Sequence, residues 1–393
     1  MRYVGTVSRG IRLPVVTKGD DIVKIITDNI IKAASSERDK FEIRDRDVIG
    51  VTESLVARSQ GNYVTLRDIS CDVARKFPDG DVAVTCPILS RNRFHQLLRG
   101  IAAGVKGKIH VVLTYPSDEV GNQIIEPMNY YLNSGKLSGE CFGEEEYYKV
   151  FGEYKHPFTG VDYVQLYKSI DPERISVHFS NNPLSALKFA KQVIVASIHA
   201  RAIHRDILEK GGAEKIVTLD QICSSPVREG AGFNPDYGVL GSNYTNDDSV
   251  KLFPRGCDEF VRKLQAEMKS RTGRDVEVLV YGDGAFKDPV CGIWELADPV
   301  VSPGFTDGLV GLPKEIKFKY VADNAGGKDP AKAVEDAIRA KSRLDRFGHS
   351  TLGTTPRRLT DLIGSLCDLT SGSGDKGTPV VYIQGYFDSY LDD

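Results

Sequence analysis

Residues 273–289 read GRDVEVLVYGDGAFKDP, an apolar run that ends on an aspartate set between two glycines. The run from Val276 to Val280 has the composition and length of a buried strand, and Gly282 and Gly284 bracket Asp283 at its mouth. Asp and Gly are common turn formers, so Asp283 can simply cap a turn. A metal–nucleotide site also uses both residue types: glycine lets backbone approach phosphate, and a carboxylate ligates the ion. The rest of the chain has to separate these readings.

Outward from this strand, other elements follow from periodicity. Residues 20–34 place Ile22, Ile25, Ile26, Ile30 and Ala33 on one helical face, with Asp20 and Asp21 at the end where the helix dipole favours acids. Residues 44–66 read as a strand over Val48–Thr52, a polar turn, and a second strand ending at Leu66. A strand is expected within 79–89, a helix over 91–105 and a strand over 107–116, closed by Pro116. Residues 182–212 fit either one long helix or a helix, strand and helix. Later come a helix over 257–273, a strand-like run at 316–321 before Asp323 and Asn324, helices within 329–348 and 355–372, and a strand over 378–386. Strands and helices mix without steady alternation, which favours α+β over a doubly wound sheet. Tyrosines crowd the turn-rich stretch from 117 to 177, and disordered segments are poor in aromatics, so this is a packed insertion. The expected division is a discontinuous core, 1–97 and 226–393, around an insertion at 98–225.

The chain has 393 residues, with 51 Lys and Arg against 54 Asp and Glu, a balance that argues against a broad nucleic-acid face. The basic stretch RNRFHQLLRG at 91–100 reads as a solvated or ligand-facing patch. No apolar run reaches the ~20 residues needed to span a bilayer, and the N-terminus lacks a secretory pattern. Cysteines 71, 86, 141, 223, 257, 291 and 367 are scattered and form no C-x-x-C pair, which reads as buried thiols in a reducing, cytoplasmic setting. Trp294, the single tryptophan, reads as packing and not as a stacking platform. Walker-type, zinc-protease and nucleophile-elbow motifs are absent. His199 and His204 stand five apart, off a common helical face.

An ordered set of motifs runs through the chain: GIRLPVVTKGDDIVKII from Gly10, DVIGVTESLVARSQGNYVTL from Asp47, YGVLGSNYTNDDSVKLFPR from Tyr237, the opening stretch, and LTDLIGSLCDLTSGSGDKGTPVVYIQGY from Leu359. In this order the set resembles the coenzyme F420-0:L-glutamate ligase (γ-glutamyl ligase) family. That family shows G-[ILV]-P-x-[IL]-x-x-G-D-D, V-x-S-K-x-E-G, G-[IV]-D-x-S-N, L-L-P-R-D-P, S-D-T-x-G-R and P-V-x-x-[VI]-R-G in succession. The likeness covers roughly 9–90 and 230–390; the stretch from about 95 to 225 is much longer than in the family's short form.

The resemblance implies an α+β γ-glutamyl ligase-like fold and an amide ligation driven by GTP or another NTP with Mg²⁺ or Mn²⁺. L-Glutamate would be joined to a small-molecule carboxylate acceptor through an acyl phosphate, by a cytoplasmic homodimer. Position by position, it implies that Leu13, Pro14, Val15, Val16, Glu53, Ser54, Arg58 and Asn243 contact nucleotide. Arg58 stands in the place of the family's lysine, where a guanidinium can still bind phosphate as a fork. Asp283 falls on a metal-binding aspartate, and Arg58 and Asp283 are the expected catalytic pair. Four positions depart from the family: Leu240 for its other metal-binding aspartate, Gly284 for threonine, Gln60 for glutamate and Gln384 for arginine. Asp236, Asp247 and Asp248 near the third motif, with Asp288 at the end of the fourth and Asp298 beyond it, are the local carboxylates available to substitute. A non-catalytic nucleotide-binding protein on this scaffold, or a ligase for a different acceptor, is the alternative.

Overall fold

The computed structural model describes residues 3–391 apart from 247, 283–284, 288–293, 297–301, 314, 342–356 and 373. It starts with β1 (Val7–Ile11) and α1 (Ile22–Ser35), whose first turn is capped by the Asp21 carboxylate accepting from the Lys24 N–H at 3.1 Å. β2 (Val48–Thr52) runs directly into α2 (Glu53–Gln60), where the sequence suggests a polar turn. Leu55, Val56 and Ala57 bury the inner side of α2, and Gly61 ends it in the left-handed conformation at φ 61°. β3 (Tyr63–Thr65) is shorter than expected because Thr65 and Asp68 form a capping box that starts α3 (Leu66–Lys76).

Next come β4 (Val82–Thr85), α4 (Phe94–Gly104), β5 (Ile109–Leu113), α5 (Pro127–Asn133), β6 (Phe142–Gly143), α6 (Glu144–Phe151) and α7 (Tyr163–Lys168). β7 (Ile175–Phe179), β8 (Gln192–Val195), α8 (Arg201–Lys210) and β9 (Lys215–Thr218) complete a six-stranded sheet ordered β6-β7-β5-β4-β8-β9. Every neighbouring pair is parallel except β6 with β7. Locally this is the doubly wound pattern that the whole-chain reading set aside. Its alternation is hidden by the long β5–β7 excursion and by the 3₁₀ turn Pro183–Lys188, which stands where one long helix was possible. Tyrosines of the excursion are core: Tyr147 and Phe142 stack on Phe179 with ring centroids 4.5 and 5.1 Å away. The sheet takes β4, residues 82–85, together with the strands between 109 and 218.

β10 (Asn243–Asn246) and β11 (Ser249–Lys251) pair antiparallel and add to β3 as a small sheet. Then follow α9 (Cys257–Thr272), β12 (Glu277–Tyr281), β13 (Ala285–Lys287), β14 (Trp294–Leu296) and β15 (Gly304–Phe305). α10 (Phe318–Asp323), α11 (Pro330–Arg339), α12 (Leu359–Ser371) and β16 (Val380–Gln384) close the chain. Residues 318–323 are helical, not the strand suggested by their alternating Lys and apolar residues.

The five-stranded sheet has the order β1-β16-β2-β12-β15; β2 and β12 are parallel and its other pairs antiparallel. Both its faces are covered, which is why β12 is apolar along nearly its whole length. Val278 and Val280 pack with α1 and α9, while Leu279 and Tyr281 pack with Ile363 and Cys367 of α12. Each such buried aliphatic side chain contributes roughly 1.5–3 kcal/mol. Gly50 belongs in β2 because a Cβ there would meet the Cys367 sulfur at 2.2 Å. Cys86, Cys223, Cys257 and Cys367 are buried as expected, but Cys71 is exposed and Cys141 half-buried; Cys291 lies outside the described residues. Among the described residues no helix is long and apolar enough to cross a membrane.

Candidate functional site

The strand order β1-β16-β2 brings together segments far apart in sequence. The Leu13 N–H donates to the Gly377 carbonyl at 3.2 Å, and the Thr52 N–H donates to the Pro379 carbonyl at 3.0 Å. Between them lies a cleft of about 430 Å³ lined by Leu13, Pro14, Val15, Val16, Thr52, Leu55, Arg58, Tyr281 and parts of 368–379. Val16 is 2% exposed and anchors the loop in the core, whereas Val15 is 82% exposed at the rim. Arg58 is exposed in the last turn of α2 and makes no ion pair among the described residues. Its guanidinium is thus a free donor fork facing a cleft.

Glu53 and Ser54 sit at the start of α2, where they meet a residue that sequence reasoning missed. Lys251 Nζ lies 2.6 Å from Glu53 Oε1 and donates to Ser54 Oγ at 2.9 Å, with both charged side chains largely buried. Lys251 comes from β11, where it lies opposite Asn243 in the ladder with β10. A lysine inside the run Ser249-Val-Lys-Leu-Phe253 was the available signal, but its partner is 198 residues away in sequence. A buried ammonium leaves water at a cost of several kcal/mol and is kept only where a carboxylate and further acceptors meet it. Asn243 itself accepts from the Tyr244 N–H at 2.9 Å, a bond to its own neighbour at the start of β10. Next to it, the Ser242 hydroxyl is buried with no partner among the described residues.

Leu240 is 5% exposed and packs in the apolar core shared with the six-stranded sheet. A carboxylate there would need its own counter-charge. Gln384 accepts from Arg9 Nη1 at 3.1 Å and donates to the Glu42 carbonyl at 2.8 Å, holding the end of β16. Gln60 exchanges two bonds with the Arg255 backbone, at 2.7 and 2.9 Å. Asp236 and Asp248 are exposed, while Asp247, Asp283, Gly284, Asp288 and Asp298 lie outside the described residues. The strand leading to Asp283 does end at this cleft, on the buried Tyr281, whose phenol burial pushes well above its ordinary pKa. Among the described residues no three His, Cys, Asp or Glu side chains come together as a metal site. The described side chains therefore do not build a divalent-cation site by themselves.

Comparison with known proteins gives a family match that spans these segments. The family described as F420-0:Gamma-glutamyl ligase matches residues 10–385. The coenzyme F420:L-glutamate ligase of Methanocaldococcus jannaschii is 27% identical over 154 residues, which is 38% of this chain and 49% of that protein. The chain thus spans about half the length of this curated relative.

Proposed function

Because the chain belongs to the F420-0:gamma-glutamyl ligase family, we propose that it joins an amino acid, L-glutamate first, to a small-molecule carboxylate acceptor, with GTP or another NTP as phosphoryl donor. The observation that carries this reading is the convergence of residues 13–16, 52–58 and 377–379 on one cleft with an unpaired guanidinium. An acceptor carboxylate oxygen attacks the terminal phosphorus of the NTP, the bond to the bridging oxygen breaks, and NDP leaves. The amine nitrogen then attacks the acyl carbon, inorganic phosphate leaves, and the amine gives up a proton.

Arg58 supplies a planar fork for phosphate oxygens, worth more in a cleft than in open water. The 13–16 backbone, tied to Gly377, forms a wall that needs no reorganisation. Lys251, paired with Glu53 and donating to Ser54, fixes the start of α2 at the other end of that helix. A magnesium or manganese ion, if Asp283 supplies a ligand for it, would neutralise phosphate charge. A homodimer working in the cytoplasm is part of the same proposal.

The test is phosphate release from GTP and ATP by the full chain with L-glutamate and a panel of small carboxylic acids. Release that depends on both acid and amine is expected; none with any NTP across the panel overturns the reading. A second reading, nucleotide binding without catalysis, is favoured by Leu240 lying in an apolar core. It predicts stabilisation by NTP that is the same with and without Mn²⁺.

A further inference from the structure

On the far side of the α2 terminus lies a second pocket, of about 560 Å³, lined by none of the residues assigned to nucleotide or metal. Its floor is built from three distant segments: 60–62, 228–234 and 253–255. Two fully buried asparagines knit them together. Asn62 Nδ2 donates to the Phe253 carbonyl at 2.6 Å, while Asn62 Oδ1 accepts from the Phe233 N–H at 3.0 Å. Asn234 Nδ2 reaches the Phe253 and Pro254 carbonyls at 3.0 and 3.1 Å. The segments press so closely that a Cβ on Gly232 would stand 2.5 Å from the Tyr63 carbonyl oxygen.

This scaffold holds Arg255. Its Nη1 donates to Asn62 Oδ1 and to the Phe233 carbonyl, and the guanidinium lies 4.5 Å from the Phe233 ring centroid. All those partners are neutral. A guanidinium has further donors on Nε and Nη2, and among the described residues these donors have no acceptor and the charge has no carboxylate partner. A half-buried cation with no counter-charge is costly unless an anion completes it.

The other charges around the pocket are accounted for as follows. Lys18, exposed, lays its aliphatic chain over Gly61 and makes no ion pair or hydrogen bond among the described residues. Arg228 is neutralised by Asp68, at 2.7 and 3.1 Å. Glu229 is exposed and adds one negative charge to the lining. Lys18 and Arg255 are left as two cations against that one acid.

We infer that this pocket binds a small-molecule oxyanion, a carboxylate or a phosphate, with Arg255 as the principal ligand and Lys18 as the second. The inference about the anion stands on the pocket alone; that the anion belongs to a co-substrate rests on the ligase reading. Lys18 follows Val16 by two residues, and Gln60 follows Arg58 by two, so the pocket adjoins the nucleotide cleft. An amino-acid carboxylate or a phosphate group of the acceptor is the ligand chemistry that fits.

Calorimetric titration of the full chain with L-glutamate and, separately, with inorganic phosphate tests this. Saturable binding of at least one is expected, and which one binds distinguishes the two sources. Arg255→Gln should weaken it about tenfold or more, the loss expected for a hydrogen bond to a charged group. Lys18→Gln should weaken it a few-fold, with less loss at high salt. Arg12→Gln, which removes a charge outside both pockets, should leave it unchanged. No saturable binding of either probe, or binding that Arg255→Gln and Lys18→Gln both leave unchanged, overturns the inference. Should Arg255→Gln fail to fold, Lys18→Gln decides, because nothing described in the fold leans on its ammonium. Persistence of this pattern in a chain that releases no phosphate from any NTP would sink the ligase reading and leave the anion site standing.

Discussion

The two large sheets treat the ends of their strands in opposite ways. In doubly wound sheets, ligands usually bind beyond the carboxyl ends of the strands, where the strand order reverses. The six-stranded sheet has that reversal at β4 and β8, yet its own carboxylates take the donors there. Glu119 accepts from Ser197 Oγ at 2.9 Å and from the Ile198 and His199 N–H groups at 2.5 and 3.2 Å, just beyond β8. Asp118 accepts from the Leu89 N–H at 2.8 Å, beyond β4, and burial pushes its carboxyl up to about 6. The five-stranded sheet, which looks less like a ligand-binding scaffold, leaves a cleft with an unpaired arginine beside β1, β16 and β2. A fold-level habit therefore points to one sheet here, and the disposition of unpaired charge points to the other.

The contrast can be broken or sharpened by substitution. The largest effect is expected for Lys251→Met, which strands a largely buried Glu53 carboxylate at a cost of about 3–5 kcal/mol. Urea unfolding measures it, and adding Glu53→Gln should recover much of the loss. A cost under ~1 kcal/mol, the range of exposed pairs, would mean that the pair is solvated and not part of a formed site. Gly50→Ala comes next, at about 1–3 kcal/mol for overpacking against α12. Pairing it with Cys367→Ala should restore stability if the two faces of the sheet are as tightly covered as described. The smallest is Glu119→Ala, about 1 kcal/mol, comparable to loss of a helix cap. Thermal unfolding with and without inorganic phosphate reads this last one: the freed donors should let phosphate stabilise the variant more than the parent chain.

Much of the mixed sheet was legible from local pattern. The runs at Val48–Thr52 and Glu277–Tyr281 are strands, and the periodic apolar residues of 257–272 are one helix. Leu13–Val16 and Arg58, placed by motif order, do line one cleft. α2 was not legible because its buried side is three consecutive residues, Leu55 to Ala57, too short to display a helical period. The parallel sheet escaped notice because the β5–β7 excursion interrupts strand–helix alternation, leaving only tyrosines to suggest packing. Lys251 was invisible for a different reason: a lysine's partner across a fold leaves no local trace, and Glu53 reads as an ordinary first-turn acid. Asp283, at the mouth of β12, lies outside the described residues.

The most direct test of the central claim is the affinity of the full chain for GTP and ATP, measured by titration with Arg58→Gln beside Arg12→Gln as a control for net charge. If the cleft beside β1, β16 and β2 is the nucleotide site, Arg58→Gln should weaken binding about tenfold, the value of one charge-assisted hydrogen bond, and Arg12→Gln should leave it nearly unchanged. Equal affinity in the Arg58→Gln variant and the parent chain would contradict the account.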